Sequence, residues 1–155
     1  MAPVPVLGGV PMTATTVDHQ GAAPVISGRD LTILRLAAEG GSNAEIAAVL
    51  GISQPTVQLA LTRIGRAWGG VGGRPRLVAE GYLRGVLVRE PTEPGAALTR
   101  REFEAVRTAA LTGACADDRG MRRAKRKLGA RTPAHAVKLA IDTGQFRLVQ
   151  RAAVR

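Results

Sequence analysis

Apolar positions recur at helical spacing in successive stretches of this chain, each bounded by turn or capping residues. In residues 26–40 (ISGRDLTILRLAAEG), Leu31, Leu34 and Ala38 share one face, with Ile33 and Ala37 beside them. Ser27 followed by Asp30 resembles a capping box with Asp in place of Glu, and Gly40-Gly41 ends the stretch. Residues 42–50 (SNAEIAAVL) open on a full box, Ser42 with Glu45, carry the stripe Ile46, Val49, Leu50, and stop at Gly51. Residues 52–68 (ISQPTVQLALTRIGRAW) start with Ser53 as cap and Pro55 in the first turn. Val57, Leu61, Ile64 and Trp68 mark the inward face of that helix. The outward face shows Gln54, Gln58, Thr62, Arg63 and Arg66, with Leu59 close by.

Gly69, Gly70, Gly72 and Gly73 break the pattern, and residues 75–88 (PRLVAEGYLRGVLV) predict a fourth, apolar helix. Residues 89–97 (REPTEPGAA) read as a linker, since Pro91, Pro94 and Gly95 cannot continue a helix. A second helical unit follows at 98–144. Thr99 and Glu102 cap a helix over 98–113 with Phe103, Val106 and Ala110 on one face. Residues 117–128 predict a short, very basic helix, and 132–142 a last one, capped by Thr132 and ended by Gly144. Residues 1–25, with Pro3, Pro5, Pro11 and Pro24, read as a disordered tail, and 145–155 as a basic tail. The fold class expected is all-α, two very small units in 155 residues.

Composition supports helices. Apolar residues make up 45% and aromatics only 3%, so the core must be Ala, Leu, Val and Ile, and a β-sandwich is disfavoured. The net charge of +10 points to an acidic polymer as partner, most simply nucleic acid. It is uneven: −1 over residues 1–25, +3 over 26–90 and +8 over 91–155. No apolar run reaches membrane-spanning length, and the N-terminus lacks the basic segment of a signal peptide. One cysteine, Cys115, allows neither an internal disulfide nor a multi-cysteine zinc site. A cytoplasmic, nucleoid-associated protein without membrane contact is the expectation. Two separated histidines, His19 and His135, and one cysteine supply no triad or metal cluster, so no catalysis, metal or cofactor is expected. Trp68 reads as core.

Three short helices, two of them joined by a tight Gly-containing turn, make a helix-turn-helix. The stretch 34–64 resembles the LuxR-type DNA-binding domain. The likeness is carried by Ala37, Gly40, Ser42, Asn43, Glu45, Ile46, Ala47, Leu50, Gly51, Ile52, Ser53, Thr56 and Val57, and covers roughly residues 26–88. Sigma-factor region 4 shares much of the pattern. The resemblance implies a transcription regulator whose third helix enters the major groove of double-stranded DNA. Gln58, Leu59 and Thr62 then stand where base-contacting side chains are expected. Gln58 suits adenine and Leu59 a thymine methyl. Arg63 and Arg66 suit phosphates, and Ser53 and Thr56 lie at the helix start, where backbone N–H groups favour a phosphate oxygen. The family's usual basic residue and histidine at positions 58 and 60 are Gln58 and Ala60 here, and Ala67-Trp68 replaces the usual Lys-Leu, so this helix is weakly charged.

The second unit resembles a degenerate copy of the same domain. LTRREFEAV (98–106) is similar to the family's opening helix and RKLGARTPAHAVKLA (126–140) to its closing segment, with about one helix missing between. Its acid-free run Arg119, Arg122, Arg123, Lys125, Arg126, Lys127 and Arg131 is expected to clamp phosphates. Two modules on one chain suit an asymmetric site; the alternative is a homodimer through the helices at 75–88 or 133–142. A different class of function is a docking module for RNA polymerase or a sigma factor, motivated by the apolar helix 75–88 and the weakly charged third helix.

Overall fold

The computed structural model describes residues 26–114 and 118–148. The tail expected at 1–25, together with His19 and Cys115, lies outside the described residues, as does the tail expected at 145–155 from residue 149 on. Its first residues are not a tail: Phe146 is buried in the core and Gln145 Oε1 accepts from Leu98 N at 2.8 Å. Helices α1 (Gly28–Ala38), α2 (Asn43–Leu50), α3 (Gln54–Ala67), α4 (Arg74–Leu83), α5 (Arg100–Thr112), α6 (Asp118–Leu128) and α7 (Pro133–Asp142) follow in order, and no strand occurs among the described residues.

Local chemistry starts most of them. Ser42 Oγ accepts from Glu45 N at 3.2 Å while Ser42 N donates to Glu45 Oε2 at 2.8 Å, the full box at the head of α2. Thr99 and Glu102 repeat it on α5 at 3.3 and 2.8 Å. Ser53 caps α3 through Thr56 N, and Thr132 caps α7 through His135 N. The box expected at α1 is only half formed. Ser27 Oγ accepts from Asp30 N at 3.1 Å, but the Asp30 carboxylate turns to Arg63 on α3. Aspartate is a methylene shorter than glutamate, and here a cation takes both its oxygens.

The fourth helix ends at Leu83, five residues short of the 75–88 expected. Gly85 adopts φ +71°, open to glycine and costly for other residues, and Val86 and Leu87 both donate back to Gly81 O at 2.8 and 3.0 Å. Leu87 is still buried, so the apolar pattern continued although the helix did not.

One apolar core runs through both units. Ile33, Leu34, Ile46, Val57 and Ile64 are sealed in the first, Val106, Ala109, Ala136 and Val137 in the second, and Val78 of α4 belongs to the same cluster. Trp68 is buried with Arg84 stacked over its ring at 5.2 Å, and Phe103 meets Phe146 edge-on at 5.8 Å. The 89–97 stretch has no regular structure but is fastened: Glu90 N donates to Asp142 Oδ1 at 3.1 Å and Thr92 N to Asp142 O at 3.1 Å. The α3–α4 loop also meets the end of α5, where backbone passes so close that a Cβ on Gly73 would lie 2.5 Å from Gly113 O. Helices α4 and α7 pack on each other within the chain.

Candidate nucleic-acid interface

Helices α2 and α3 meet at 105°, joined by Gly51, Ile52 and Ser53 with Gly51 left-handed at φ +66°. That is the crossing of a helix-turn-helix, in which the second helix projects from the body of the domain. The apolar spacing along α3 fixes what it projects. Val57, Ala60, Leu61 and Ile64 are buried, while Gln58, Leu59, Arg63 and Arg66 face outward and Thr62 is half-buried. Leu59 is 63% exposed, a large apolar side chain left in water. Ala60, where the resemblance leads one to expect histidine, is core.

Each polar group on this face has a defined state. Ser53 Oγ and Thr56 Oγ1 lie 2.7 Å apart at the helix start. Thr62 Oγ1 donates to Gln58 O at 2.9 Å, so it offers an incoming group its lone pairs and its methyl. Gln58 Oε1 accepts from Asn43 Nδ2 at 3.3 Å. Asn43 Oδ1 in turn accepts from Arg74, which also donates to Gly41 O at 2.9 Å. A groove of about 360 Å³ beside α3 is lined by Gln58, Thr62, Arg66 and Arg74 and floored by the glycines of the α3–α4 loop.

Three cations expected at phosphates are engaged within the chain. Arg63 donates from Nε to Asp30 Oδ2 at 3.1 Å and from a terminal nitrogen to Oδ1 at 2.7 Å, and this contact raises its pKa. Lys127 sits 2.8 Å from Glu102 Oε2 and donates to Ala97 O at 3.2 Å. Its ammonium, with the Thr99 N–H, holds the Glu102 carboxyl below its usual range. Arg131 pairs with Glu45 on α2. The Ser42 N–H, then Arg131, pull the Glu45 pKa down to about 2. Each partner acid belongs to the opening turn of a helix, so the cation is spent on fastening that helix to another part of the chain.

The remaining cations are arranged differently. Arg119, Arg122, Arg123 and Arg126 recur at i, i+3, i+4, i+7 and are exposed, with Lys125 half-buried alongside, while Met121 and Ala124 turn the other face of α6 into the core. Among the described residues no ion pair holds these four arginines. Both approaches to α6 are anchored beside the helix-turn-helix. Gly113, ahead of it, abuts Gly73 in the α3–α4 loop. Arg131, after it, reaches Glu45 on α2, and His135 sits against Gly40.

Residues 24–66 match the family model for bacterial regulatory proteins of the luxR family. The matched stretch takes in α1, α2 and all but the last residue of α3, and helices α4–α7 lie beyond the match. No match to the chain was found among curated proteins or among solved structures. The LuxR-type match supports a DNA-binding transcription regulator in general. Among the described residues no single helix is long and apolar enough to cross a membrane.

Two residues of this face were not singled out from sequence as site residues: Asn43 and Arg74. Asn43 was one of the positions carrying the resemblance, but nothing local links it to Gln58, 15 residues on, or to Arg74, 31 residues on.

Proposed function

We propose that this protein is a sequence-specific regulator of transcription that acts by binding double-stranded DNA, with α3 in the major groove. The observation that carries the reading is the outward row of α3, where Gln58, Leu59 and Thr62 stand exposed or half-exposed opposite a sealed apolar face. Gln58 pairs with adenine, and Leu59 meets a thymine methyl, which accounts for a large apolar side chain left in solvent. Ser53, Thr56 and Arg66 contact flanking phosphates. The exposed stripe Arg119, Arg122, Arg123 and Arg126, with Lys125, clamps further backbone, and the anchoring of α6 beside the helix-turn-helix favours a continuous cationic surface. The second unit is a degenerate copy of the first: Lys127 stands to Glu102 as Arg63 stands to Asp30. Helices α4 and α7 cover each other within the chain, which favours two modules reading one asymmetric site over a homodimer through those helices.

Selection of bound duplexes from a random library tests this, with the intact chain and the Gln58→Ala/Thr62→Ala double variant. A defined motif that relaxes in the variant is the expected result. Binding without a motif overturns base readout by α3.

A second reading, docking on RNA polymerase or a sigma factor, draws on Val49, which stands 69% exposed on α2. Tight binding to a protein partner with little salt sensitivity marks that reading; a steep salt dependence on DNA marks the first.

A further inference from the structure

The Gln58 side chain on the outer face of α3 does not choose its own orientation. A guanidinium has donors and no acceptor. Arg74, which donates to Gly41 O and to Asn43, therefore meets the oxygen of the Asn43 amide and leaves its NH2 group pointing toward Gln58. Gln58 must then offer its own oxygen to Asn43, at 3.3 Å, and its NH2 group faces away. The order of donors and acceptors is dictated from one end of this hydrogen-bonded row to the other.

We propose that Asn43 and Arg74 are positioning residues that set the polarity of the Gln58 amide, so that α3 selects adenine. The inference rests on the reading of Gln58 as a base-contacting residue. A glutamine amide oxygen has two lone pairs. One is taken by Asn43; the other is left for the adenine N6 amino group, while the outward NH2 meets N7. In the reversed orientation a donor would face N6 and an acceptor N7, and neither hydrogen bond could form. An amide already held also surrenders less side-chain freedom when it docks. Neither positioning residue needs to touch a base. Arg74 is half-buried in the first turn of α4, with the adjoining Pro75 buried, so the anchor belongs to the body of the domain.

The test is selection from random duplex DNA by the full chain and by its Gln58→Ala, Asn43→Asp and Asn43→Ala variants. The intact chain is expected to prefer adenine at one position by roughly 5- to 150-fold, the range of a bidentate contact, and Gln58→Ala to bring that preference toward unity. The carboxylate of Asn43→Asp only accepts. It keeps Arg74 as its partner but forces the Gln58 NH2 inward and its oxygen outward. Adenine should give way at that position to a base offering a lone donor, such as cytosine through N4. Aspartate is favoured in the first turn of a helix, so α2 should form, which thermal melting checks. Asn43→Ala, which frees the Gln58 amide, should weaken the preference without exchanging it, and decides the question if Asn43→Asp fails to fold. A merely structural asparagine would lower affinity for all sequences alike. If Gln58→Ala relaxes a position while the Asn43 variants keep its adenine preference intact, the positioning role is overturned and base reading stands. If Gln58→Ala relaxes nothing, base reading falls and the positioning role falls with it.

Discussion

Arg63 stands on the solvent face of α3, yet both oxygens of the Asp30 carboxylate, on α1, hold its guanidinium. A positive charge on the outward face of a helix-turn-helix invites assignment to a phosphate; this one ties two helices together. The same division separates Lys127 and Arg131 from the arginine stripe of α6. Substituting Arg119, Arg122, Arg123 and Arg126 together by glutamine should flatten the slope of log K for DNA against log salt by about 0.9 for each phosphate no longer neutralised, and leave the melting temperature nearly unchanged. Arg63→Gln should do the reverse, lowering the melting temperature with little change in slope. A salt titration and a thermal melt on each variant check the pair. An unchanged slope in the fourfold variant would remove α6 from the interface.

Glu45 and Glu102, which fasten Arg131 and Lys127, make stability depend on pH in a defined window. The Glu45 pKa falls from 4.5 to about 2, first through the Ser42 N–H and then through Arg131. A depressed pKa in the folded state means the stabilisation is complete above the unfolded value and is lost as pH falls through the folded one. The melting temperature should therefore decline between about pH 4.5 and pH 2. Glu102 is shifted the same way by Lys127 and by the Thr99 N–H. Glu45→Gln keeps an oxygen for the Ser42 N–H but has no proton to gain. Its melting temperature should start lower at neutral pH and decline less over that window. A decline as steep as the parent's would assign the pH dependence to other carboxylates.

The close of α4 offers a test of packing. A Cβ at Gly81 would lie 2.8 Å from Leu87 Cδ1, so the fold-back that replaces the last helical turn depends on that missing methyl. Leu87→Ala should cost about 2 kcal/mol, the low end for a buried leucine. Gly81→Ala gains helix propensity and meets the Leu87 side chain. In the double variant the new methyl enters space that Leu87 vacates. Its loss by chemical denaturation should be smaller than the two single losses added, by about 0.5 kcal/mol or more.

Legibility followed the range of the interaction. The capped starts of α2, α3, α5 and α7 were readable because a cap and its partner lie three residues apart: Ser42 with Glu45, Ser53 with Thr56, Thr99 with Glu102, Thr132 with His135. The outward face of α3 was readable because burial of Val57, Leu61 and Ile64 fixes what points away. The end of α4 was misread because Leu87 is buried either way, and periodicity cannot separate a helix from a chain that doubles back. Gly85 was the local signal. Pairings across 33 residues, Asp30 with Arg63, or 86 residues, Glu45 with Arg131, leave no local trace, so those cations looked free. The Arg74–Asn43–Gln58 order was hidden for the same reason.

Asp142 joins the two units. Its side chain is fully buried and accepts from Lys138 Nζ at 2.6 Å, Glu90 N at 3.1 Å and Tyr82 OH at 3.3 Å, linking α7, the stretch after α4, and α4 itself. Burial works to lower the Lys138 pKa, but the Asp142 carboxylate outweighs it and the net shift is upward. Burial, with the same carboxylate, raises Tyr82. Asp142→Ala should destabilise the fold by about 3 kcal/mol, because it strands a largely buried ammonium along with an N–H and a hydroxyl. Glu39 and Glu90, at 3.4 and 3.5 Å from Lys138 Nζ, are more exposed and compensate only in part. Adding Lys138→Met should restore much of the loss, since an apolar side chain in that place has no charge to leave unpaired. Chemical denaturation of the two variants decides the point. If Lys138→Met brings no recovery, the loss lies in the Glu90 and Tyr82 contacts, and Asp142 holds the units together through hydrogen bonds alone.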